Sequence, residues 1–158
     1  MEMSEQERNQ ILLDKYFYYE VFRMRESFFA FKHRLWDSLL VDFLVHVRIL
    51  HEFFYGSKIG EKKKRAHADN YIEGYKVDVP FKDFEEHWNR QMNDYTFHLS
   101  FFRVEGINRE YKYRFYSIDD FYKHFGNLVI EFLNKLPEDY KVGSKLKELL
   151  EILKEEIE

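Results

Sequence analysis

The chain has no cysteine, and only two of its 158 residues are proline and six are glycine. Without thiols there is no disulfide, no thiolate metal ligand and no cysteine nucleophile. So few turn formers argue against a many-stranded sandwich or barrel and for a few long helices. No run is apolar enough to span a bilayer, because the greasiest stretch, Ser38 to Leu50, is interrupted by Asp42, His46 and Arg48. The acidic start Met1-Glu2-Met3-Ser4-Glu5 lacks the basic-then-apolar order of a signal peptide. The expectation is a cytoplasmic protein with no membrane partner.

Chemical motifs are equally scarce. No glutamate is followed three residues later by histidine, as a carboxylate-bridged di-metal bundle requires, and His51-Glu52 has Tyr55 where a zinc signature needs its second histidine. Glycine-rich phosphate loops and a nucleophile elbow are missing too. The sequence therefore predicts no metal and no cofactor.

What is present in excess is aromatic: 17 Phe and 12 Tyr within an aromatic share of 20%. Such a core is built from bulky flat side chains. Charged residues make up 34% and the net charge is -4, so the chain as a whole does not attract nucleic acid, though a local basic groove is compatible with that total. The length suits one domain over 1–158.

Apolar residues recur at helical spacing in several places. Leu13, Phe17, Val21, Met24, Phe28, Phe31 and Leu35 keep to one face, and Trp36, Leu40, Phe43, Val47, Leu50 and Phe54 form a second series. Their join falls between Lys32 and Ser38 without Gly or Pro, which leaves open one kinked helix or two. Added Leu39, Leu44, Val45 and Ile49 make the second helix greasy nearly all round, as central helices are. Gly56 is a plausible stop. Residues 57–79 show no helical period and read as a long connection containing Lys62, Lys63, Lys64 and Arg65. Pro80 opens a third helix, Phe81 to Phe102. Ser117 with Asp120 caps a fourth, Ile118 to Leu136, which stops at Pro137. An amphipathic helix over about 144–157 closes the chain, with Leu146, Leu149, Leu150, Leu153 and Ile157 on one stripe. This predicts an all-α bundle of four to five helices.

Two polar clusters interrupt these helices. Asp42, His46, Arg48 and His51 lie on the second, with Asp42 and His46 one turn apart. Asn93, Asp94 and His98 lie on the third, where Asp94 is placed to fix the His98 tautomer as general bases are fixed. Each histidine has two readings, a hydrogen-bonded core residue or a group facing a cleft. The basic run at Lys62 reads either as a solvated loop or as a phosphate contact.

The segment Asn93-Asp94-Tyr95-Thr96-Phe97-His98-Leu99-Ser100, after Phe43-Leu44-Val45-His46-Val47-Arg48-Ile49-Leu50, resembles the HEPN-like helical proteins. Asp94 and His98 match the polar and histidine positions of the HEPN ribonuclease signature, and Asn93 stands where that family has arginine. The resemblance implies an up-and-down bundle, a homodimer, RNA as ligand and metal-independent cleavage, with His98, Asn93 and Asp94 as catalytic candidates. Arg48 or Arg103 would supply the missing cation, with His46, Lys62, Lys63 and Lys64 as further binding residues. Loss of the arginine makes a purely binding descendant at least as compatible with the resemblance as a nuclease. The rival reading is a non-catalytic scaffold whose aromatic surplus forms a protein interface.

Overall fold

The computed structural model describes residues 3–34, 37–56, 66–77, 118–140 and 142–157, which belong to one compact unit. The expected third helix and the basic run at Lys62 lie outside the described residues. Regular structure among the described residues is entirely helical, as the apolar periodicity predicts. None of these helices is long and apolar enough to cross a membrane.

The first helical rod is longer than its apolar pattern suggests. It begins with α1 (Glu5–Ile11), passes through a π-helical stretch (Leu12–Phe17) and continues as α2 (Tyr18–Arg34). Its start is set by a capping box: the Ser4 hydroxyl accepts from the Glu7 N–H at 3.2 Å, and the Glu7 carboxylate accepts from the Ser4 N–H at 2.9 Å. The π stretch has a cause in the sequence. Asn9, Leu13, Phe17 and Val21 are all buried yet follow one another in four-residue steps. In an ordinary helix each such step drifts by about 40° from the face. A wider turn absorbs the drift and keeps all four inward.

The rod then reverses. α3 (Asp37–Tyr55) runs antiparallel to α2, since Phe17 meets Phe53, Phe28 meets Phe43, and Glu20 meets His46. The join is thus a break between two helices. After α3 the chain makes a single 3₁₀ turn, Ala68–Asn70, and buries Ala68 and Tyr71. The Tyr71 hydroxyl donates to the Asn9 carbonyl at 3.1 Å, where the helix widens. This part of the expected connection is therefore a packed element.

α4 (Ile118–Lys135) and α5 (Ser144–Ile157) form a second antiparallel pair, tied where the Tyr122 hydroxyl donates to Glu156 at 2.5 Å and where Gly126 lies under Ile157. Arg25 grips the same Glu156 carboxylate, with Nε 3.0 Å from each oxygen, and this joins α5 to α2. Phe28 stacks on Tyr122 at 4.1 Å at one end of the bundle. At the other end the fully buried Phe132 meets Phe17, Phe53, Phe54, Tyr71 and Tyr75, with ring centroids 5.2–5.9 Å apart. Because Phe43 shares the Phe28 end with Tyr122, while Phe54 shares the far end with Phe132, α3 and α4 run in the same direction.

Candidate functional site

The polar residues singled out on α3 fall on different sides of it, because positions two apart on a helix point nearly opposite ways. His46 turns into the seam with α2 and is 6% exposed. Its Nδ1 lies 2.6 Å from Glu20 Oε2. A carboxylate can only accept, so this nitrogen carries the proton. Asp42, one turn earlier, approaches Nε2 at 3.6 Å, beyond hydrogen-bonding length. Asp42 is committed elsewhere: Arg23 Nη2 reaches its Oδ2 at 2.8 Å, and the Ser27 hydroxyl donates to the same oxygen. The Tyr19 and His46 rings meet nearly at right angles, with centroids 5.8 Å apart.

Arg48 faces outward and is exposed. The structure therefore separates His46 from Arg48: one is a member of an interhelical polar network, the other a surface cation. His98, Asn93, Asp94, Arg103, Lys62, Lys63 and Lys64 lie outside the described residues.

A second polar group, of which the sequence singled out only His51, links α3 to α4. The Tyr55 hydroxyl lies 2.7 Å from His124 Nε2, and His51 stacks on Tyr55 at 4.8 Å. Burial pushes the Tyr55 phenol up to about 12 and the His124 imidazole down to about 4. Tyr55 is then the donor and neutral His124 the acceptor. His51 is also pushed down to about 4, first by burial and then by the neighbouring His124.

Beside the seam, where the π-helical stretch faces the end of α3, lies a cleft of about 330 Å³. Tyr16, Phe17, Phe53 and Tyr71 supply its aromatic wall, and Glu20 and Glu52 its acidic groups. Phe17, Phe53 and Tyr71 are buried, whereas Tyr16 is 60% exposed at the mouth. Among the described residues no group of three or more histidines and carboxylates is arranged to hold a metal ion.

Glu20, Arg23 and Ser27 are site residues that sequence reasoning passed over. Their spacing of three and four is a polar stripe flanking the apolar face of α2, and that stripe is the available signal. Compared with known proteins, the chain matches no family model, no curated protein and no solved structure.

Proposed function

We propose that this chain is a HEPN-like helical protein that binds RNA, with Arg48 as a phosphate contact and His46 as a positioning residue. The observation that carries the reading is the register of α3, which commits His46 to Glu20 while leaving Arg48 exposed. Exposed Tyr16 and Tyr19 on the neighbouring rod add aromatic faces of the kind on which unpaired bases stack. The resemblance of Asn93, Asp94 and His98 to the ribonuclease signature supports RNA as the ligand, with Lys62, Lys63, Lys64 and Arg103 as further candidate contacts. With asparagine in place of the family arginine, binding is the primary role and cleavage a residual one. The test is incubation of labelled single-stranded RNA with the protein in EDTA, in parallel with a binding titration across salt. Binding that weakens steeply with salt supports the reading. Any cleavage is expected to disappear in His98→Ala, and cleavage that survives that substitution removes His98 from the chemistry.

A specific observation favours a second reading, a homodimeric interaction module. Ile49 on α3 is 41% exposed and lines the same cleft as Tyr16, which is 60% exposed. Apolar side chains gathered on one face mark an interface. Sedimentation is expected to show a dimer that Ile49→Glu dissociates. A wild-type monomer at all concentrations excludes this reading.

A further inference from the structure

We propose that the cleft between the π-helical stretch and the end of α3 is a pocket for one unpaired base of the bound RNA, and that its chemistry selects guanine. This inference rests on the RNA-binding reading and names what that face recognises. The cleft, about 330 Å³, lies at the lower end of the range for small-molecule sites and so takes a single base rather than a duplex. It adjoins the proposed phosphate contact. Ile49, which lines it, follows Arg48 directly, and Glu52, which also lines it, stands one turn beyond Arg48. A strand whose phosphate meets Arg48 therefore brings a base to the cleft.

Two features of the lining set what the pocket reads. Tyr16, 60% exposed at the mouth, offers a ring face on which a base stacks, while buried Phe17, Phe53 and Tyr71 form an apolar floor. Phe17 and Phe53 already pack together at 4.8 Å, so the floor is preformed rather than assembled by the ligand. Glu20 stands one turn after Tyr16 on the same rod and supplies the polar group. Its Oε2 is taken by His46 at 2.6 Å, which fixes the carboxylate, and among the described residues Oε1 has no partner. A carboxylate only accepts. Guanine alone among the RNA bases carries adjacent donors, its ring N–H and its exocyclic amine, on the Watson–Crick edge. Adenine and cytosine set an acceptor beside their amine, and uracil flanks its ring N–H with carbonyls on both sides. Unstacked bases in single strands are read on that edge. Glu52 has an interaction partner of its own, so the selection is assigned to Glu20.

The experiment is fluorescence anisotropy with short end-labelled oligouridine carrying a single central guanosine or a single central adenosine, titrated with the full chain at low salt. The guanosine oligomer is expected to bind roughly ten-fold more tightly, the discrimination that a well-placed pair of hydrogen bonds gives. Tyr16→Ala, at an exposed position, is expected to weaken the guanosine oligomer roughly ten-fold through lost stacking. Its salt dependence is expected to stay that of the wild type, because no phosphate contact is removed. Glu20→Gln keeps an oxygen for His46 and turns an amide donor toward the base, so the guanosine preference is expected to vanish while the adenosine oligomer still binds. Equal affinity for the two oligomers, a guanosine preference that survives Glu20→Gln, or undiminished binding by Tyr16→Ala overturns the pocket and leaves salt-dependent RNA binding standing. Failure of the wild type to bind either oligomer removes the RNA reading itself, and the pocket with it.

Discussion

Asp42 is the carboxylate on which three side chains converge, and this makes it the most sensitive polar residue in the seam. Removing it strands the Arg23 guanidinium and the Ser27 hydroxyl and takes the nearby charge from His46. Asp42→Ala is expected to cost about 1–3 kcal/mol in urea unfolding, the penalty of leaving half-buried donors without an acceptor. His51 and His124 make a different demand. Their folded pKa of about 4 lies below the ordinary 6.5, so between those values the folded chain binds fewer protons than the unfolded one. The stability they contribute is complete above pH 6.5 and is lost as pH falls toward 4. The unfolding free energy read from urea titration is therefore expected to drop between pH 7 and pH 5, by on the order of 1 kcal/mol per ring after allowance for partial exposure. Combining His51→Gln with His124→Gln is expected to flatten that slope. The one-turn spacing of Asp42 and His46 was legible in the sequence, but the shorter contact to Glu20 was not. That contact depends on how two helices pair, a relation that spacing along one helix does not encode.

At the level of elements, apolar periodicity carried most of the information. Leu13, Phe17, Val21, Met24 and Phe28 are buried along the rod, and so are Phe43, Val47, Leu50 and Phe54 on α3, Phe121, Phe125, Leu128 and Phe132 on α4, and Leu146, Leu149 and Leu153 on α5. Each belongs to the stripe its spacing predicts, because only a constant face can stay dry along a helix. Three features escaped that logic. The rod starts at Ser4 through a polar cap, ahead of the first apolar residue. Its widened stretch appears only once Asn9 is known to be buried. Tyr71 packs from a segment without any period, held by its hydroxyl bond to Asn9. The meeting point of these elements is Phe132, whose ring touches aromatics from the rod, α3 and the segment after it. Phe132→Ala is expected to cost about 3–5 kcal/mol, read from denaturant unfolding. Phe132→Leu, which keeps most of the volume, is expected to cost much less.

For the molecule as a whole, the topology has a consequence for the placement of function. α3 and α4 run in the same direction, so the chain leaves the described unit after Tyr75, beside Phe54 and Phe132, and re-enters at Ile118, near the Lys32–Asp119 ion pair at the opposite end. The all-α class was legible from the scarcity of turn residues and the helical stripes. The reading of His98 as a catalytic candidate rests on the sequence alone.

The central claim is that α3 presents Arg48 to a ligand and keeps His46 for the seam. It is tested most directly by fluorescence anisotropy of labelled single-stranded RNA, titrated with wild type and Arg48→Ala over a series of salt concentrations. If Arg48 contacts a phosphate, the variant binds more weakly and its slope of log affinity against log salt becomes shallower by about 0.7. Equal affinity and an identical slope for both proteins would contradict the account.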